Sequence, residues 1–166
     1  ATARLLARPV RATDAAEAFA VYASDPVATR FLSFPTYQEV ASLEEFFRER
    51  QRRWGSDTID HLPWALCLRD APDRLIGTIG ITLSGHQALF GYVIGRAHWG
   101  RGYTAEALRW LVDWTLAQPE LFRAWAFCDA ENTASARVME KAGIDFRLTV
   151  PHKAFNRQIG ALAGVR

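Results

Sequence analysis

The residues best suited to chemistry lie in one stretch: Tyr92-Val93-Ile94-Gly95-Arg96-Ala97-His98-Trp99-Gly100-Arg101-Gly102-Tyr103-Thr104-Ala105-Glu106-Ala107-Leu108. An apolar strand pattern runs into two glycines spaced by one residue, and a helical pattern opens immediately after them. Such a turn lets several backbone N–H groups converge on one concavity, where the helix N-terminus adds about half a positive charge. Glycine suits it because the main chain can approach an anion with no Cβ in the way. The segment reads as an anion cradle, best matched to a pyrophosphate.

Two familiar phosphate motifs compete for it. A P-loop needs G-x-x-x-x-G-K-[ST]; Gly95 and Gly100 have the spacing, but Arg101 and Gly102 stand where the lysine and the magnesium-binding hydroxyl belong. A dinucleotide fold needs G-x-G-x-x-G/A, which Gly100, Gly102 and Ala105 satisfy literally, with Asp129 as an acid further on. That reading requires parallel strands. The short turns among the upstream strands favour antiparallel neighbours instead.

The elements that must position this turn follow from periodicity. Residues 4–8 read as a strand ended by Pro9, and Thr13-Asp14 start a helix to about Ala23. A second amphipathic helix is expected over 37–53, with Val40, Leu43, Phe46 and Phe47 on one face. Strands follow over 64–68, 75–83 and 88–94, separated by turns at 70–73 and 84–85. Helical period returns over 104–117, a strand over 121–128, and a helix over 133–141 with Gly143 as its C′ residue. Two weaker strands, near 144–150 and 157–163, close the chain. The order β-α-α-β-β-β-α-β-α-β-β predicts an α/β layer structure on a mixed, mainly antiparallel sheet.

Composition sets the outer bounds. With 166 residues, 49% hydrophobic and 23% charged, the chain fits one globular domain spanning 1–166. Net charge is +2, from 20 basic and 18 acidic residues, without the basic concentration of a nucleic-acid binder. No apolar run approaches the ~20 residues of a membrane span, and residues 1–20 lack a signal-peptide core. Cys67 and Cys128 are too few for a disulfide framework or a four-ligand zinc site. They read as buried thiols in a reducing cytoplasm, with no metal expected.

The chain also resembles the GNAT superfamily of N-acetyltransferases, in particular its RimJ/RimL-type branch. Trp99-Gly100-Arg101-Gly102-Tyr103-Thr104-Ala105-Glu106-Ala107 is close to that branch's W-G-x-G-Y-x-x-E-A pattern. Asn132-Thr133-Ala134-Ser135 and Glu140-Lys141-Ala142-Gly143 resemble its second block, N-x-x-S followed by E-K-x-G. The opening Arg4-Leu5-Leu6-Ala7-Arg8-Pro9 and the strand Leu75-Ile76-Gly77-Thr78-Ile79-Gly80 extend the likeness over nearly the whole chain.

The resemblance implies an acetyl-CoA-dependent acyltransferase acting on a primary amine, such as a protein N-terminus or a small molecule, by direct attack in a ternary complex. Backbone amides of Arg101, Gly102, Tyr103, Thr104 and Ala105 would hold the CoA pyrophosphate. The strand at Tyr92, Val93 and Ile94 would pair with the pantetheine arm, and one of its N–H groups would polarise the thioester carbonyl. Asn132 would bond the pantetheine, and Ser135 would protonate or solvate the leaving thiolate. A homodimer is compatible with this. Two rivals remain: a non-catalytic acyl-CoA-binding module and a dinucleotide-dependent oxidoreductase.

The pattern also departs from the family. Met139 stands where many relatives carry a tyrosine, and Leu89 where many carry a glutamate, so no strand residue offers a general base. Asp60, His61, His86 and His152 are weaker candidates. Each site residue has a plainer reading beside the functional one. Asn132 is a good helix N-cap with Ser135 near N3, and Glu106 suits a first helical turn. Trp64, Trp110, Trp114 and Trp125 read as core. Phe31, Phe34, Tyr37 and Trp54 border the region where the resemblance places an acceptor.

Overall fold

The computed structural model describes residues 1–54 and 61–144. The strands anticipated near 144–150 and 157–163, together with Asp60 and His152, lie outside them.

Five strands form one sheet in the order β1-β2-β3-β4-β5: Leu5–Pro9, His61–Leu68, Ala71–Ser84, Gln87–Ile94 and Arg123–Trp125. The first four are antiparallel neighbours and β5 lies parallel to β4. A doubly wound dinucleotide fold needs a run of parallel strands. The sheet therefore corrects that rival and agrees with the mixed, mainly antiparallel expectation. Five helices accompany the described strands: α1 Ala15–Ala18, α2 Pro26–Thr29, α3 Val40–Arg53, α4 Tyr103–Leu116 and α5 Thr133–Lys141.

The first predicted helix is present but changes pitch along its length. A 3-10 turn at Ala12–Asp14 leads into α1, which widens into a π-helical turn at Phe19–Ala23. The wide turn closes on Ser24, whose N–H and hydroxyl both donate to the Phe19 carbonyl, at 3.2 and 2.8 Å. Helix α3 starts at Val40 rather than Tyr37: Glu39 before it is extended, at φ −138° and ψ 140°, and the Tyr37 N–H is held by the Ala23 carbonyl at 2.9 Å. The last helix ends as expected. Gly143 has φ +85°, its N–H donates to Glu140 O, and the Ile144 N–H donates to Met139 O. That pair of bonds is a Schellman cap.

Each face of the sheet has its own apolar cluster. On one, Leu66, Ile79, Ile81 and Phe90 meet Leu108 and Leu111 of α4 and Met139 of α5. On the other, Ala65, Leu75 and Val93 meet Ala15, Ala18, Tyr22, Leu43 and Phe47. Burying leucines of this kind contributes about 1.5–3 kcal/mol each. Met139 is fully buried, so the family's tyrosine position is here part of the core. The tryptophans behave less uniformly. Trp64 is buried and meets Trp54, Trp110 and Trp114 edge-on at 5.4, 6.4 and 6.2 Å, yet Trp114 remains 40% exposed. Its ring caps the cluster from the solvent side.

Candidate active site

The glycine turn forms as the spacing predicts, for a partly different reason. Gly100 and Gly102 have φ +74° and +77°, the left-handed region that costs an L-residue about 1–2 kcal/mol. Space is not the constraint within the chain: a Cβ on Gly100 would meet nothing within 4 Å, and one on Gly102 only the Arg4 Nη2 at 3.6 Å. The bend turns the start of α4 outward. Its first backbone bond runs from the Glu106 N–H to Gly102 O at 3.1 Å. Among the described residues, the N–H groups of Arg101, Gly102, Tyr103, Thr104 and Ala105 have no acceptor. Five donors at a helix N-terminus are an arrangement suited to an anion.

Beside this turn the sheet opens. Strand β5 pairs with β4 only at Gln87–Arg123, Ala88–Ala124 and Leu89–Trp125. The strand expected over 121–128 is thus three residues long, and the second half of β4 has no partner on that edge among the described residues. The Gly95 N–H donates to Ile76 O on β3 at 2.9 Å. Strand alternation therefore turns the backbone of Val93 to β3 and those of Tyr92 and Ile94 to the gap. The Ile94 carbonyl there already accepts the Trp99 indole N–H at 2.8 Å. The Tyr92 and Ile94 N–H groups are the donors left facing the opening.

Across the gap stands α5. Asn132 caps it, its Oδ1 accepting the Ser135 N–H at 3.1 Å, which leaves the amide NH2 unspent by the cap. The Ser135 hydroxyl lies 2.7 Å from the Tyr92 hydroxyl, which also donates to Ser135 O at 3.3 Å. Beside them lies the Cys128 thiol, on which the Ser135 side chain acts against the effect of burial. Burial pushes Tyr92 up to about 12, against the opposing effect of the Ser135 bond. Burial likewise raises the Cys128 thiol. Both groups stay neutral at physiological pH.

Sequence reasoning overlooked Arg4. Its Nε bonds Glu106 at 2.6 Å, its backbone N–H reaches the same carboxylate at 3.0 Å, and its Nη1 donates to Arg101 O at 3.0 Å. The guanidinium also lies over the Tyr103 ring, 4.7 Å from its centroid. The Thr2 hydroxyl bonds Glu106 as well. Burial alone would raise the Glu106 pKa, but the bonds from Thr2 and Arg4 outweigh it and hold the carboxylate below its usual range. Glu106 is accordingly a structural tie between residues 2 and 4 and the glycine turn. Nothing local in the sequence pairs residues about a hundred positions apart; the one available signal was an arginine just before the first strand and an acid in the first turn of α4.

The other candidates have partners of their own. His61 Nδ1 lies 2.9 Å from the Thr82 hydroxyl, and His86 bonds Glu120 O and stacks near Phe122. His98 sits beside Tyr103, its pKa lowered by burial and then by Arg101 and Arg74. Trp54 belongs to the tryptophan cluster, while Phe34 packs on Tyr37 at 5.8 Å. Among the described residues no three His, Cys, Asp or Glu side chains converge as a metal site, and no helix is long and apolar enough to cross a membrane.

Comparison with known proteins agrees with this geometry. The family model described as the acetyltransferase (GNAT) domain matches residues 4–145. The probable N-acetyltransferase YjcK of Bacillus subtilis is 31% identical over 143 residues, covering 82% of this chain and 77% of that protein. The N-acetyltransferase p20 of Bacillus licheniformis is 26% identical over 141 residues, covering 83% and 77%. Among solved structures, a GNAT-family acetyltransferase of Bacillus anthracis superposes with a TM-score of 0.74 at 24% identity, over 92% of this chain and 89% of that one. A spermidine N-acetyltransferase of Vibrio cholerae, in complex with CoA and spermine, gives 0.68 at 15% identity, over 84% and 79%. The glycine turn, the opened sheet edge and the match over residues 4–145 meet in one conclusion: this chain belongs to the GNAT acetyltransferase family and is an N-acetyltransferase.

Proposed function

We propose that this protein transfers an acetyl group from acetyl-CoA to a primary amine, a protein N-terminus or a small-molecule amine, by direct attack within a ternary complex. The observation that carries the reading is the row of N–H groups opening α4, beside an edge of β4, that have no partner among the described residues. The amides of Arg101, Gly102, Tyr103, Thr104 and Ala105 bind the pyrophosphate of CoA. The pantetheine arm lies along the gap as an added strand on the backbone of Tyr92 and Ile94, with the Asn132 NH2 as a further donor. Val93 contributes by holding that strand to β3.

The chemistry needs little more. The neutral amine nitrogen attacks the thioester carbon, forming a C–N bond as charge moves to the carbonyl oxygen. A β4 N–H stabilises that oxyanion. The C–S bond then breaks, the amine proton passes to water, and the thiolate leaves beside the Ser135 hydroxyl, which donates to it. The W-G-x-G-Y-x-x-E-A pattern favours the RimJ/RimL-type branch, and with it a cytoplasmic enzyme, a single domain over 1–166 and compatibility with a homodimer. The CoA and spermine bound by the Vibrio cholerae relative support an amine acceptor.

CoA thiol release, measured with acetyl-CoA against peptides with free N-termini, polyamines and small amines, tests the proposal. Acceptor-dependent release supports it. Binding of CoA without release favours the non-catalytic module, and neither binding nor release refutes both.

A further inference from the structure

Two hydroxyls meet on the α5 side of the gap, those of Tyr92 and Ser135, with the neutral Cys128 thiol as a neighbour of the serine. Each of the two hydroxyls has one proton to give. The Tyr92 oxygen is 2.7 Å from Ser135 Oγ, a pair in which either hydroxyl can donate, and its O–H also reaches Ser135 O at 3.3 Å; both contacts tie the phenol to the serine. With the Tyr92 proton on Ser135 Oγ, the Ser135 proton is free for a third group, and the Cys128 thiol is the neighbour on which that side chain acts. A thiol sulfur is a weak acceptor, so redirecting that proton costs little. A thiolate arriving in the gap is a far stronger one.

We infer that Tyr92 is a positioning residue for transfer, holding the Ser135 hydroxyl as a donor aimed at the leaving sulfur. The inference rests on the acyltransferase reading above. It also explains how a site whose usual tyrosine position is filled by the buried Met139 retains a phenol near the sulfur, supplied from the strand instead of the helix. Tyr92 does not surrender its proton. Its pKa of about 12 lies above that of an ordinary thiol, near 8.5, so transfer to the thiolate would run uphill. The C–S bond breaks with the electron pair on sulfur, Ser135 O–H solvates that pair, and water supplies the proton afterwards. Cys128, buried and with a raised pKa, stays a neutral neighbour of Ser135.

The test is a kinetic double-mutant cycle on the full chain. Tyr92→Phe should lower kcat about 3–10-fold, the worth of one neutral hydrogen bond, with KM for acetyl-CoA unchanged. In a Ser135→Ala background the same change should have no further effect. A wild-type kcat in Tyr92→Phe overturns the inference while leaving the acyltransferase reading intact. So does an equal fall in both backgrounds, or a rise in KM alone. A wild type inactive with every amine overturns the inference along with that reading. As a second variant, site-specific 3-fluorotyrosine at position 92 keeps the hydroxyl and the packing. Its kcat should match or exceed wild type, and a fall to the phenylalanine level refutes the role.

Discussion

Gly102→Ala separates two reasons for a glycine in the turn proposed to hold CoA, room for a ligand and a left-handed backbone. The structure gives the second a magnitude. At φ +77° an alanine is strained by about 1–2 kcal/mol. Replacing any glycine also restricts the unfolded chain, a gain of about 0.4–1 kcal/mol that partly hides the strain. Gly91→Ala supplies the reference: a Cβ there meets nothing within 4 Å and its φ is not positive. The unfolded-state gain is common to both variants, so their difference isolates the strain. In the absence of CoA, Gly102→Ala should unfold about 1–2 kcal/mol below Gly91→Ala. At about 2–4 °C per kcal/mol for a chain of this size, that is a gap of about 2–8 °C in Tm. Thermal unfolding of the two apo variants reads it, and CoA titration of the same samples reads the site. Equal melting temperatures together with lost CoA binding would refute the conformational argument and return the glycine to a purely steric role.

The remaining predictions concern charge, phenols and packing. Glu106→Gln should destabilise the protein at neutral pH, where the tied carboxylate is ionised. Because the folded pKa is depressed, that contribution disappears as pH falls through it, so the two unfolding curves should converge below the ordinary carboxylate range; a gap persisting into acid refutes the tie. Tyr92 should remain protonated to about pH 12, with its stabilising contribution complete below pH 10 and lost as pH rises through the folded value. Ultraviolet titration of Tyr92→Phe should show part of the delayed phenol absorbance missing, and an unchanged titration refutes the assignment. Leu111→Ala, at a position with no exposure, should cost about 2–5 kcal/mol by urea unfolding, and a loss under 1 kcal/mol would place Leu111 outside the core.

What could be read from sequence and what could not divide along the range of the interactions. Helix α5 and its ends were legible because Asn132 and Gly143 act within a few residues of themselves. The turn at Gly100 and Gly102 was legible for the same reason, although its left-handed geometry and not ligand clearance proved to be the chain's own demand. Antiparallel pairing of β2, β3 and β4 followed from their short connections. The π-helical turn before Ser24 and the shortening of β5 were not legible. The first depends on one hydroxyl reaching a carbonyl five residues back, the second on where two strands part company. Arg4 and the Tyr92 side chain were overlooked because their partners, Glu106 and Ser135, are reached only through the tertiary fold. Trp114 had the periodicity of a core residue, but a sequence period does not reveal how much of a ring its neighbours cover.

The bond from Arg4 to Glu106 spans 102 positions of the chain. Loop closure over such a distance comes late, after the intervening strands have found their neighbours. On the proposed reading, CoA affinity is therefore a property of the finished molecule: a chain whose glycine segment has not yet docked onto Arg4 has the donors without that tie. Acquisition of CoA binding during refolding should lag behind sheet formation, making the ligand a sensor of completed topology.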